Sequence, residues 1–272
     1  MAYNRKSIIG NADLHEGIIR PVKKSTDPNV GPDALMAMIS KDLEYLVRLG
    51  RARKIAHSSQ GHFRLYHTGN EGGRVSSLSG PFLGAPLAAM GMEKMIAMGA
   101  ERIWVLGCCG SLQPDLRIGD LVIPIGALSE EGTSRHYPIG DNAPITDEDL
   151  NAILEKALDN RGEDFRKGNV WTTDAPYRET PAKVQAFQDQ GILAVEMEMS
   201  ALMTVGIYRG VQVSGLLVVS DELFDLKWHP GFSSKRFRRK SRLAAEVLLD
   251  VITSFAGDSH HEEHEGHEEN NG

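Results

Sequence analysis

The sequence predicts an α/β protein, a single-domain three-layer sandwich with a central mixed sheet flanked by helices. Three observations carry that expectation. Short buried-type runs such as Arg102-Ile103-Trp104-Val105-Leu106 and Val213 to Val219 alternate with segments of helical periodicity. The apolar fraction of 41% over 272 residues is ample for one packed core. No internal repeat and no linker divides the chain, so one domain is expected over 1–257. The His/Glu-rich remainder, 258–272, cannot bury a core and is expected to be a disordered tail.

In chain order, Asp33 to Leu49 carries Leu35, Ile39, Leu43, Leu46 and Val47 at helical spacing and predicts a helix. Arg64 to Ser79 reads as extended, broken by a hairpin-like turn at Gly69-Asn70-Glu71-Gly72-Gly73. A helix is predicted over Gly84 to Gly99. The strand Arg102 to Leu106 is expected to end in a turn, Gly107-Cys108-Cys109-Gly110-Ser111, and another strand covers Asp120 to Ile125. Thr146-Asp147-Glu148-Asp149 resembles a capping box heading a helix to about Asn160. Strands follow near Val170 to Thr173 and Leu193 to Met197, a helix near Met199 to Arg209, and a strand over Val213 to Val219. The last helix shows Leu243, Val247, Leu248, Val251, Ile252 and Phe255 on one face.

Charge and cysteine content narrow the function classes. The net charge of −7 implies no broad basic surface, which argues against nucleic acid as a partner. The basic cluster Lys235 to Lys240 reads as a solvated face or a small-anion site. Two adjacent cysteines, Cys108 and Cys109, make no disulfide framework and point to a reducing compartment. The first residues lack the apolar core of a signal peptide, and no apolar run approaches a membrane span. A cytoplasmic protein without a membrane partner is expected.

No Gly-x-Gly-x-x-Gly opens a helix after a strand, and no Walker loop occurs. His57, His62 and His67 recur at a spacing that fits neither a strand face nor a helix face, so no metal site is expected. The glycine-flanked stretch around Cys108 and Gly110 reads either as a small-residue turn or as a nest of backbone N–H groups for an anion. Without an identifiable histidine partner, neither cysteine reads as a nucleophile. Asp221, after a buried strand, is either a cap or a strand-end acid. In Val195-Glu196-Met197-Glu198-Met199-Ser200-Ala201-Leu202 the plain reading is a half-exposed strand whose Glu196 and Glu198 face water. The other is that two strand ends bring Glu196, Glu198 and Asp221 to one pocket. That pocket would suit a polyol with a polar base.

Six stretches in order, SGPFLGAP, VLGCCGSLQPDLRIGDLVIP, ALSEEGTSRHYP, TTDAPYRET, AVEMEMSAL and VVSDEL, together resemble the nucleoside phosphorylase family. The branch is that of uridine phosphorylases and hexameric purine nucleoside phosphorylases, and the resemblance spans about Gly80 to Phe255. It implies that Glu198 accepts hydrogen bonds from ribose hydroxyls, that Met197 packs on the sugar, and that Glu196 supports from beside it. It puts Cys108 and Gly110 near phosphate and ribose, and Tyr177 and Arg178 at the base pocket. Asp221 matches the purine-type acid that protonates the base nitrogen, whereas LQP, IGD and EGTS lean toward the uridine branch. His15 resembles a histidine that enters a neighbouring subunit's ribose site, implying a homo-oligomer built on dimers, up to a hexamer.

The chain departs from the family at the phosphate. Thr26-Asp27-Pro28-Asn29-Val30 stands where relatives have Gly-Asp-Pro-x-Arg, and Val105 stands where they have arginine. Of the substitutes Arg20, Lys23, Lys24, Arg64 and Arg135, the first choice is Arg135. The resemblance implies phosphorolysis of a ribonucleoside, uridine or purine, to free base and ribose 1-phosphate, with no cofactor and no metal. The alternatives are a nucleoside hydrolase using water and a non-catalytic nucleoside-binding protein.

Overall fold

A computed structural model describes residues 17–57, 63–69 and 75–258. Among the described residues, ten strands form one mixed sheet in the order β10-β9-β6-β7-β8-β5-β1-β4-β3-β2. They are β1 (Asp33–Ala37), β2 (Arg53–His57), β3 (Arg64–Thr68), β4 (Ser76–Gly80), β5 (Arg102–Ser111), β6 (Leu121–Glu130), β7 (Phe165–Thr173), β8 (Ala194–Glu196), β9 (Gln212–Glu222) and β10 (His229–Pro230). The helices are α1 (Ser40–Leu49), α2 (Ala85–Ala97), α3 (Glu148–Asp159), α4 (Pro181–Asp189), α5 (Met199–Arg209) and α6 (Lys235–Asp258). The expected α/β sandwich is therefore present, with one refinement. Strand β9 also pairs with β5, so β5, β9, β6, β7 and β8 close a ring.

Strand β5 shows why the centre of the sheet reads as a continuous apolar run, since both of its faces are buried. Ile103 and Val105 enter a core with Met92 and Met95 of α2 and Leu202 and Met203 of α5. Trp104 and Leu106 enter a second core with Leu43 and Leu46 of α1, Leu154 and Leu158 of α3, and Val247 and Leu248 of α6. A third, smaller core gathers Leu112, Trp171, Val184, Val195 and Leu223 beneath α4.

Several local expectations are corrected. Asp33 to Leu49 is not one helix: Asp33–Ala37 is a strand between β4 and β5, and the helix starts at Ser40. Five fully buried residues show no periodicity that separates strand from helix. Gly107 to Ser111 is not a turn but the second half of β5, paired with β9 and, at Gly110 and Ser111, with β8. The cap of α3 is Asp147, whose carboxylate accepts from Leu150 N–H at 3.0 Å. Thr146 instead donates to the Pro124 carbonyl at 2.8 Å. The predicted hairpin is β3 and β4, whose connection at 70–74 lies outside the described residues, as do His15, His62 and the tail from 259.

Candidate active site

The two glutamates of the quoted octapeptide do not face water; Glu196 is 5% and Glu198 7% exposed. Strand β8 ends at Glu196 and α5 begins at Met199, so the segment is a strand-to-helix corner rather than a strand. At such a corner the first N–H groups of a helix lack intrahelical partners. Glu196 supplies one acceptor for two of them, with its Oε2 accepting from Glu198 N–H at 2.6 Å and Met199 N–H at 2.7 Å. Its Oε1 accepts from the Thr172 hydroxyl of β7. Ser200 N–H in turn donates to Thr172 Oγ1 at 2.9 Å. The Ser200 hydroxyl donates to Glu131 at 2.9 Å, and Glu131 also takes the Ser129 hydroxyl and the N–H groups of Thr133 and Ser134. Glu196 is thus a structural carboxylate that sets the corner.

Glu198 is held differently. Its Oε1 accepts the Gly84 N–H at 2.6 Å, and no side chain among the described residues bonds it. Gly84 sits at the N-terminus of α2 with φ +81°, a conformation that favours glycine. Burial, and then the charge of Glu196, pushes the Glu198 carboxyl well above the ordinary carboxylate range. Burial also raises Glu196, opposed by its three hydrogen bonds. Because Glu196 is the better solvated by donors, the pair holds its first proton on Glu198. Met197, between them, is half-buried.

Strand β9 brings Asp221 to the same end of β5. Gly110 pairs with Asp221 of β9 and Val195 of β8, and a Cβ there would lie 3.1 Å from Asp221 Oδ2 and 2.6 Å from Leu223 Cδ1. Glycine is required because three strands converge on it. Asp221 accepts the Ser220 hydroxyl at 2.6 Å and the Trp228 indole N–H at 2.9 Å. Cys108 is half-buried on the same strand end, its thiol pushed up to about 12 by burial, with the charges of Glu198 and Asp221 adding to the rise. A thiol so disfavoured as thiolate is a poor nucleophile.

The remaining expected residues lie further out. Tyr177 and Arg178 are exposed on the 3-10 turn Pro176–Arg178 ahead of α4. Arg135 is exposed on the 3-10 turn Ser134–His136, and among the described residues it has neither a hydrogen bond nor an ion pair. It lines a cavity of about 1140 Å³ together with Arg20, Lys24, Tyr137, Tyr208 and Arg209. That cavity includes none of Glu196, Glu198, Cys108 or Asp221. It adjoins the site only through Pro86, near Gly84, and Thr133, bonded to Glu131. The carboxylate chemistry and this hollow are therefore neighbours, and the chemistry defines the site. Sequence reading missed Gly84, Thr172 and Glu131; all three stand in the quoted motifs, but only the fold reveals their bonds.

Residues 34–256 match the model of the phosphorylase superfamily. The chain is 29% identical over 259 residues to a guanosine phosphorylase of Halorubrum lacusprofundi, covering 94% of this chain and all of that one. It is 35% identical over 162 residues to a purine nucleoside phosphorylase of Bacillus cytotoxicus, covering 58% of this chain and 68% of that one. Among solved structures, the fold matches a uridine phosphorylase from Vibrio fischeri with TM-score 0.74 at 23% identity, over 85% and 99% of the two chains. It also matches a purine nucleoside phosphorylase from Toxoplasma gondii, solved with immucillin-H, with TM-score 0.76 at 18% identity, over 89% and 98%.

Proposed function

The chain belongs to the phosphorylase superfamily, and on that premise we propose that it cleaves the N-glycosidic bond of a uridine or purine ribonucleoside with phosphate, releasing free base and ribose 1-phosphate. The observation that carries this reading is the buried Glu198, held by backbone N–H groups alone and facing no cation among the described residues. In this reading the ribose hydroxyls supply the donors its surroundings withhold, and on binding they return the raised Glu198 carboxyl to its ionised form. As the glycosidic bond stretches, the ribosyl group becomes oxocarbenium-like, and a fixed negative charge beside it lowers the barrier. Met197 packs on the sugar, and Glu196 keeps Glu198 in place. Asp221 serves the base nitrogen, with Tyr177 and Arg178 at the base pocket.

Phosphate is taken at Cys108 and Gly110, with Arg135 as its cation. His15 completes the ribose site from a neighbouring subunit of a dimer-based homo-oligomer. The protein acts in the cytoplasm on small-molecule nucleosides, without cofactor or metal. Base release from a nucleoside panel, assayed with and without phosphate, tests the reaction. Release that requires phosphate and yields ribose 1-phosphate supports it.

One observation favours a second reading. Arg135 makes no bond to Cys108, Gly110 or Glu198, and Val105 is buried in the core. A site without a phosphate cation would use water as nucleophile, and base release independent of phosphate would then replace phosphorolysis by hydrolysis.

A further inference from the structure

The chain has three tryptophans, and two of them, Trp104 and Trp171, are fully buried. The third, Trp228, is 63% exposed, yet its indole N–H is already engaged, donating to Asp221 Oδ2 at 2.9 Å. The backbone around it is pinned. The Asp225 carboxylate spans it, accepting Lys227 N–H at 3.2 Å on one side and pairing with His229 Nε2 at 2.9 Å on the other. Pro230 then stands opposite Asp221 in the β9–β10 pair, and Gly231 N–H donates to the Ser220 carbonyl at 2.8 Å. A Cβ at Gly231 would lie 2.5 Å from Ile118 Cδ1, so the returning chain has no slack there. With the backbone fixed and the ring open to solvent, what can move is the side chain itself.

This contact closes Asp221. Its Oδ1 accepts the Ser220 hydroxyl at 2.6 Å. Its Oδ2 lies between the indole and Gly110, where a Cβ would be 3.1 Å away. Both oxygens therefore act as acceptors. An ionised carboxylate can only accept, whereas an unprotonated ring nitrogen of a purine needs a donor. Asp221 meets that nitrogen only when Oδ2 carries a proton, and an O–H set against the indole N–H would put donor against donor. Apart from the nitrogen bonded to the sugar, a uracil has no unprotonated ring nitrogen, so it makes no such demand.

We propose that Trp228 is a gate on Asp221: the indole N–H holds Oδ2 while the site is empty and swings off when a purine nucleoside binds. Oδ2 then takes a proton from solvent and passes it to the ring nitrogen as the electron pair of the glycosidic bond moves to the base. The gate rests on the reading in which Asp221 serves the base nitrogen. Trp228→Phe keeps an aromatic ring and removes the N–H, and a substitution at so open a position spares the fold. By calorimetry the variant is expected to bind inosine about three- to tenfold more tightly than wild type, the effect of one competing hydrogen bond removed, and uridine equally. Tryptophan emission of the wild type is expected to change on adding inosine but not uridine, and that of Trp228→Phe to stay constant with both. Inosine affinity unmoved or weakened in the variant, an equal gain for uridine, or wild-type emission indifferent to inosine overturns the gate, and phosphate-dependent base release in the same preparations leaves phosphorolysis standing without it. If affinity and emission behave as expected but no base is released, the gate stands and the reaction falls. If neither nucleoside binds either protein, both fall.

Discussion

At the N-terminal end of β5, Asp33 is 1% exposed yet fully answered. Its two oxygens accept from Arg102 Nε and Nη2 at 2.7 Å each, and Trp104 Nε1 adds a third donor at 3.1 Å. At the C-terminal end of the same strand, Glu196, Glu198 and Asp221 are buried or half-buried without any ion pair among the described residues. Strand β9 repeats the contrast within two residues. Glu222 is met by Arg117 at 3.0 Å and by Ile118 N–H at 2.8 Å, while Asp221 has only neutral donors. A buried carboxylate with a cation holds the fold together. One without a cation is costly to keep unless a ligand meets it.

The comparison can be broken most forcibly at its structural end. Asp33→Ala takes the bidentate carboxylate from the half-buried Arg102 and should cost about 3 kcal/mol in urea denaturation. Turnover per folded molecule should stay unchanged; a large loss there would erase the distinction between the two ends. At the other end, Glu198→Gln should lower kcat by about 10²–10³-fold while the protein remains folded. Wild-type activity in that variant would defeat the site assignment. Asp221→Asn should slow purine nucleosides by about 10²-fold and uridine far less, read as separate kcat values. Equal losses would remove its part in base protonation.

Stability against pH sharpens the same contrast. The folded-state pKa of Glu198 is raised above its ordinary 4.5. The native state therefore binds more protons than the unfolded state above pH 4.5, and stability falls as pH rises through that window. Glu198→Gln should flatten this fall and melt higher than wild type at alkaline pH. A parallel pair of melting curves would show that Glu198 carries no burial penalty. The smallest effect is expected from Thr172→Val, which removes one donor from Glu196 and one acceptor from Ser200 N–H. It should cost about 1–3 kcal/mol in denaturation and lower kcat several-fold with little change in KM.

The sequence by itself determined the alternation of strands and helices, since each long element carries its own hydrophobic period. It also singled out Glu196, Glu198 and Asp221, because charges beside apolar runs stand out and the surrounding motifs resemble a known family. Short elements escaped it. The strand Asp33–Ala37 merged with α1, and α4 was unseen, because local pattern is ambiguous in fully buried or weakly amphipathic stretches. Tertiary structure alone decided which carboxylates lack a cation. The bond from Gly84 to Glu198 spans 114 positions, and that from Thr172 to Glu196 joins neighbouring strands of the ring. Such contacts follow from sheet register and helix docking, which no local spacing encodes.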